Sequence, residues 1–185
     1  MIQSGFRAYS HKQGGFTLAE MLIAMAITTL IGAAVATLTY QTIKVNSLSS
    51  NHQTAIVQVQ NGVNSLSRDA EQAQQVVPQS STNNPLPLDS LPIGSTKISF
   101  NLITGNKLVI KWVDWNNNAH QVTYVVDGSG NLSQNNLIVA RNITVAAGSW
   151  DTYSKTLSFQ LQSTVGAHNT ATETRNFQII PRPAQ

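Results

Sequence analysis

Residues 14–40 read GGFTLAEMLIAMAITTLIGAAVATLTY, and this stretch decides how the N-terminal part of the chain folds. In Met21–Tyr40, 15 of the 20 residues are apolar and the other five are Thr or Gly. An α-helix of this length extends for about 30 Å, which is the thickness of the hydrocarbon core of a bilayer. The stretch therefore predicts a helix that spans a membrane.

The residues before this helix carry only positive charge. Arg7 and Lys12 lie in residues 1–15, which contain no acidic residue. Because positive charge is retained on the cytoplasmic side, we predict that these residues stay in the cytoplasm and that the C-terminal bulk lies outside it. A standard secretory signal has small residues after its apolar run, whereas Gly14-Gly15 precedes this one. Cleavage at that pair would keep the apolar helix as an anchor, and an uncleaved signal anchor is the alternative.

Glu20 stands at the start of the apolar helix, and no residue from Met21 to Ile43 is charged. A carboxylate at membrane depth costs about 2.5–3.5 kcal/mol on insertion scales. Because an ordinary anchor has no reason to carry this cost, Glu20 indicates a role beyond anchoring.

The order Gly15-Phe16-Thr17-Leu18, one residue, Glu20 and then an apolar helix resembles the class III signal of type IV prepilins and type II secretion pseudopilins. The resemblance implies that a membrane aspartyl prepilin peptidase cuts between Gly15 and Phe16 and then methylates the new amino group of Phe16. Ala19 stands where the family usually has Ile or Leu. Major pilins commonly carry a helix-breaking Pro in the region that here has none, so the resemblance favours a minor subunit.

Within this resemblance, Glu20 sets the register of filament assembly. Cleavage would create an ammonium group at Phe16, and a buried carboxylate is tolerable when it is paired. Glu20 of one subunit would then meet the amino terminus of a neighbouring subunit in the filament. The alternative is that Glu20 only occupies the first helical turn, where the helix dipole favours an acid.

The apolar helix continues into a second, amphipathic half. Apolar residues recur at steps of three and four through Thr42–Val77, which contains no proline. We predict one long helix over Thr17–Val77, loosened at Asn46–Asn51 and ended by Pro78.

Two details of this second half can be tested in the structure. Gly62 costs the helix about 1 kcal/mol unless a strand packs closely against it. The cluster Arg68-Asp69-Ala70-Glu71 is predicted to form a solvated face.

The remainder of the chain predicts antiparallel strands after a loop at 79–94. Turns are expected at 114–118 and 127–131. Trp112 is in phase with the core positions of its strand, whereas Trp115 and Trp150 are expected in turn regions, where they plug sheet edges or form a binding patch. The fold class is α+β, with the long N-terminal helix packed on an antiparallel sheet, type IV pilin-like. The predicted strands are 97–102, 107–112, 121–126, 136–140, 142–146, 154–162 and 175–180.

Three C-terminal stretches extend the resemblance to the J-type pseudopilin and W-type minor pilin group. They are residues 64–75, the hairpin at 124–132 and the strand at 138–143. Subunits of this group are implied to sit near the filament tip and to help initiate assembly with other minor subunits.

Enzyme chemistry finds little support in the sequence, and we expect no catalytic residues, no metal site and no cofactor. His11, His52, His120 and His168 have no ligand-like spacing, which disfavours zinc. Gly128-Ser129-Gly130 is not followed by a helix, so it predicts a hairpin turn rather than a phosphate loop. Calcium in a turn is the alternative for a ligand. The carboxylates that could hold it are Asp114, Asp127 and Asp151.

Composition adds two limits. Cys is absent, which excludes disulfides and thiolate chemistry. Lys and Arg total 11 against 8 acids, and two of the 11 precede Phe16, so the mature chain is nearly neutral. A nucleic-acid partner is therefore not expected.

The alternative function, a DNA-uptake or adhesive minor pilin, would need a cationic stripe or a ligand patch on the head. The cations available for such a stripe are Lys97, Lys107, Lys111, Arg141, Lys155, Arg175 and Arg182.

The sequence is thus identified as a non-enzymatic minor pilin or pseudopilin with three parts. Residues 1–15 are the leader, 16–45 the transmembrane and filament-core helix, and 46–185 an extracytoplasmic head. The resemblance implies prepilin peptidase, other minor subunits, the major subunit and an inner-membrane assembly platform as partners. It places the chain first in the cytoplasmic membrane and then in an extracytoplasmic filament.

Overall fold

The computed structural model describes residues 15–86 and 96–181. The chain divides into two compact units, one ending at Lys44 and the other beginning at Val45. Helix α1 runs from Leu18 to Gln72 and is followed, within the described residues, by nine strands. The predicted leader, apart from Gly15, and the second half of the predicted loop at 79–94 lie outside the described residues.

In the first unit, α1 exposes its apolar side chains on every side. All the large apolar residues from Phe16 to Ile43 are more than half exposed. Carbonyls three or four residues earlier accept hydrogen bonds of 2.8–3.0 Å from the hydroxyls of Thr28, Thr29, Thr37, Thr39 and Thr42. These bonds leave no hydroxyl donor unsatisfied in a medium without water. By length and composition this helix could cross a membrane.

The predicted loosening at Asn46–Asn51 is wrong, because α1 continues through these residues without a break. A tertiary contact offsets their weak helix propensity. The Asn51 side-chain amide donates to the carbonyl of Asn169 at 2.7 Å, and Asn169 lies between β8 and β9.

The C-terminal end of the helix was also predicted wrongly. α1 ends at Gln72, and Gln75–Gln79 forms the strand β1. Pro78 therefore does not end a helix but lies inside a strand. This is possible because β1 is an edge strand, with β3 as its ladder partner among the described strands and the isolated bridge Gln79–Pro85 on its other side. The Pro78 carbonyl accepts a hydrogen bond from the Leu86 N–H at 2.9 Å.

The strands form two antiparallel sheets, which confirms the α+β, type IV pilin-like architecture. Sheet A has the order β1-β3-β4-β5-β6 and sheet B the order β2-β7-β8-β9. The remaining strand bounds are β2 Lys97–Asn101, β3 Lys107–Val113, β4 Ala119–Val126, β5 Leu132–Gln134, β6 Leu137–Ala140, β7 Ile143–Asp151, β8 Thr156–Val165 and β9 Ala171–Ile179.

All seven predicted strands are present, with shifted ends. Asn136 belongs to a turn rather than to β6, because Asn135 and Asn136 both have positive φ, at 48° and 68°. Two such residues between paired strands form a type I′ hairpin turn. Trp150 is not in a turn either; it is a buried residue of β7, opposite Ile98 and Leu157.

The second half of α1 packs its apolar face on the sheets, as its periodicity predicts. Ala55, Val59, Leu66 and Ala70 are at most 1% exposed. At Gly62 a Cβ atom would lie 2.5 Å from Leu161 Cδ2. A strand therefore packs closely against Gly62, which is the condition under which its cost to the helix is offset.

Gly62→Val is expected to lower the free energy of unfolding by about 1–3 kcal/mol, because the added side chain overlaps the buried Leu161. Gln60→Val, at an exposed position of the same helix, is the matched control and should change stability by less than about 0.5 kcal/mol beyond its propensity cost. Chemical unfolding of the solubilised protein measures both. Equal losses in the two variants would contradict close packing at Gly62.

Candidate functional site

The predicted processing site lies where the chain enters α1. Gly15, Phe16 and Thr17 precede the first helical residue, Leu18. Phe16 is 84% exposed, and no atom lies within 4 Å of a Cβ built on Gly15. None of the described residues therefore shields the Gly15–Phe16 peptide bond from a protease.

Glu20 and Thr17 form a capping box at the start of this helix. The Thr17 N–H donates to Glu20 Oε2 at 2.8 Å, and the Thr17 hydroxyl donates to the same oxygen at 3.0 Å. In return, the Glu20 N–H donates to Thr17 Oγ1 at 3.3 Å. Backbone donors at the helix start, which have no partner inside the helix, are satisfied in this way.

The Glu20 carboxylate thus lies beside the N–H of Thr17, the residue that follows the predicted new amino terminus at Phe16. Both hydrogen bonds from Thr17 go to Oε2, and the second carboxylate oxygen, Oε1, accepts none among the described residues. A carboxylate held in this way can accept from a further donor, such as an ammonium group. The structure supports local capping by Glu20, and it is also compatible with the predicted pairing.

A second polar centre was missed at the sequence level. Asp69 is 5% exposed and Ala70 is fully buried, so the prediction that residues 68–71 form a solvated face is wrong at these two positions. Its Oδ2 accepts a hydrogen bond from the Tyr124 hydroxyl at 2.7 Å and another from the Gln134 side-chain amide. Arg68 Nε lies 3.5 Å from Oδ1, and the Arg68 side chain is largely exposed.

This Asp69 centre joins α1 to two neighbouring strands of sheet A, β4 and β5. The pKa of Tyr124 is raised well above its usual range, mainly by burial and secondly by the hydrogen bond to Asp69. The phenol therefore stays protonated and remains a donor. The sequence could have indicated this burial. Asp69 follows Leu66 by three residues and precedes Ala73 by four, and this spacing places it on the buried stripe of the helix.

The three turn carboxylates considered for calcium are already used within their own turns. Asp114 accepts hydrogen bonds from the N–H groups of Asn116 and Asn118 and lies 3.0 Å from the His120 ring. The pKa of Asp114 is lowered to about 2, mainly by the hydrogen bond with His120 and secondly by the one from the Asn118 N–H. Asp127 and Asp151 also accept from backbone N–H groups of their own turns. No group of three metal-ligating side chains occurs in the described residues.

The described histidines and the three tryptophans do not form a common site. His120 stacks on Trp112, with ring centroids 5.4 Å apart, and Trp112 is only partly buried. His52 lies on α1, and His168 lies between β8 and β9. Trp115, at 93% exposure, is in a turn as predicted.

The described cations considered for DNA binding are scattered over both sheets and their connections: Lys97 is on β2, Lys107 and Lys111 are on β3, Arg175 is on β9, and Arg141 and Lys155 lie between strands. Arg175 is paired with Glu173 at 3.0 Å, and Lys107 donates to the Asn83 side chain. Arg182 lies outside the described residues.

Comparison with known proteins gives one match. Residues 10–36 match the family model of the prokaryotic N-terminal methylation motif. Neither the curated proteins nor the solved structures gave a significant match to the chain. The matched residues contain Gly15, Phe16 and Glu20, together with the first part of α1. The chain therefore carries a type IV prepilin-like N-terminus joined to a two-sheet head.

Proposed function

We propose that this protein is a minor structural subunit, a minor pilin or pseudopilin, of a type IV filament machine. One observation carries the proposal. A methylation motif at residues 10–36 includes the first part of α1, and the helix from Met21 to Ile43 carries no charge and exposes its side chains on every side. A helix of this kind needs a lipid or protein environment along its whole surface.

The same helix serves in two environments. In the cytoplasmic membrane it anchors the head on the outer side, with the leader in the cytoplasm. During assembly it leaves the lipid for a bundle of similar helices. Burial of Glu20 there requires a positive partner, and the methylated amino group of Phe16 in a neighbouring subunit supplies it. A subunit that enters out of register would leave this charge unpaired.

The finer assignment rests on the resemblance. A place near the filament tip, with a role in initiating assembly, follows from the likeness to the J-type pseudopilin and W-type minor pilin group. The partners proposed are prepilin peptidase, other minor subunits, the major subunit and the inner-membrane assembly platform. The secretion pseudopilus, the type IV pilus and the competence machinery are all open to such a subunit.

N-terminal sequencing tests the processing step. The chain expressed with prepilin peptidase should begin at a methylated Phe16, and the chain expressed without it should begin at Met1. Gly15→Val should block cleavage, because a branched side chain would replace the open glycine site. The matched control is Gly128→Val, at a glycine that is also surrounded by open space, and its processing should be unchanged. A Met1 start in the presence of the peptidase would overturn the proposal.

A further inference from the structure

The face of sheet B that points away from α1 carries an uncharged groove. Along β8, Leu157, Phe159 and Leu161 are buried on the core side, so Ser158 and Gln160 point to the opposite side. The strand register extends this alternation across the sheet. The two rows of side chains beside the groove contain only Ser, Ala, Asn and Gln within the described strands.

Each of these rows crosses the sheet and forms one wall of the groove. The first wall contains Ser99, Ser149, Ser158 and Gln178. The second wall contains Asn101, Ala147, Gln160 and Asn176. The groove has a volume of about 730 Å³. Two rows on one face are about 7 Å apart, and four strands extend for roughly 14–15 Å, so the groove is about twice as long as it is wide. It is shallow and open to solvent.

The floor of the groove is the backbone of the intervening row, Phe100, Gly148, Phe159 and Phe177. Below it, the rings of Phe100 and Phe159 lie 5.8 Å apart, and those of Phe159 and Phe177 lie 5.6 Å apart. At Gly148 a Cβ atom would lie 2.7 Å from each of two of these rings. The packed aromatics therefore support a rigid floor.

Apart from Asn101, whose Oδ1 accepts a hydrogen bond from the Ile103 N–H at 3.0 Å, the polar side chains of the two walls are not used within the described part of the protein. The side chains of Ser99, Ser149, Ser158, Gln160, Asn176 and Gln178 make no hydrogen bond to any other described residue. By contrast, Thr144, Thr164 and Thr172, on the same face beyond the groove, bond to one another at 3.1–3.2 Å. The hydroxyls and amides of the walls can both donate and accept, and they are free to bind a ligand.

The chemistry of the groove selects one class of ligand. A nucleic acid or an acidic polysaccharide needs cations, and the walls have none. An extended peptide adds to a sheet edge through free backbone groups, whereas the backbone of the two central strands, β7 and β8, is paired on both sides. An uncharged chain with many hydroxyl groups matches the free hydroxyls and amides and incurs no cost for desolvating a charge.

We propose that this groove binds a neutral linear polysaccharide, laid across the four strands of sheet B. The walls hydrogen-bond its hydroxyl groups, and the flat floor packs against its sugar rings. This binding function is separate from filament assembly and does not depend on processing at Gly15.

The full chain, purified in a detergent without a sugar head group, tests the proposal. The probes are cellohexaose and maltohexaose, two uncharged glucose hexasaccharides, and calorimetry should show saturable binding of at least one. Gln160→Ala and Asn176→Ala should each weaken binding at least tenfold. The matched controls are Gln162→Ala and Thr174→Ala, which lie on the same face one row outside the groove and should bind as the unmodified chain does.

Three results would overturn the proposal. The first is the absence of saturable binding with both hexasaccharides. The second is an equal loss of binding in groove and control variants, and the third is binding of heparin, a polyanion, in preference to the neutral probes. Thermal unfolding of each variant should match that of the unmodified chain, because the four substituted positions lie on the outer face, so a change in binding reports on the groove.

Discussion

Asp69→Ala is expected to lower the free energy of unfolding of the head by about 2–5 kcal/mol, because it leaves two hydrogen-bond donors at the core without an acceptor. The substitution leaves the Tyr124 hydroxyl and the Gln134 amide without their acceptor in the core. It also opens a small cavity between α1 and sheet A. A loss of this size is a large fraction of the stability of a domain.

Chemical unfolding followed by tryptophan fluorescence measures this effect, because Trp150 is buried in the same unit. Glu71→Ala is the matched control. Glu71 is an exposed acid on the same helix, and its loss should change stability by no more than about 0.5 kcal/mol. Tyr124→Phe should cost about 1.5–3 kcal/mol, because it removes one hydrogen bond to a charged group and leaves the Gln134 bond in place. A loss below about 1 kcal/mol for Asp69→Ala would show that the centre contributes little.

Glu20→Ala is expected to reduce incorporation of the subunit into filaments at least tenfold, while membrane insertion stays intact. Removal of the carboxylate makes the helix more apolar, which favours insertion. It also leaves the amino terminus of the neighbouring subunit without a partner in the filament core. Quantitative immunoblots of sheared filaments and of membranes measure the two quantities separately.

Two further variants separate pairing from capping. Glu20→Gln keeps an acceptor for the Thr17 N–H, and Gln is accepted at this position of a capping box, but the negative charge is lost. Thr17→Ala keeps the charge and removes the hydroxyl of the cap. If Glu20 pairs with a neighbouring amino group, Glu20→Gln fails to assemble and Thr17→Ala assembles. The reverse pattern would show that Glu20 serves only to cap the helix.

The long helix and most strands could be predicted because their patterns are local. The apolar run before Tyr40, the three-and-four spacing after Thr42 and the alternation in the strands each lie within a short stretch of chain. The errors occur where a distant residue decides the local structure. Asn169 supports a weak helical segment through Asn51, and β3 captures Gln75–Gln79 as a strand.

The same distinction applies to the candidate sites. Gly15, Phe16 and Glu20 occur in an ordered motif, and the capping box joins residues three apart, so both can be read along the chain. Asp69 is different, because its partners lie 55 and 65 residues further on. Its charge suggested solvent, and only the positions of Tyr124 and Gln134 make burial tolerable.

The sequence alone determined that the chain has an apolar anchor with a prepilin-like start, because hydropathy, charge and motif order are properties of neighbouring residues. The tertiary structure decided how the head uses its many Asn, Gln, Ser and Thr residues. Some hold turns, some satisfy the buried Asp69, and some form the walls of a groove across sheet B. Strand register sets these roles, because it brings together residues that are far apart in the chain.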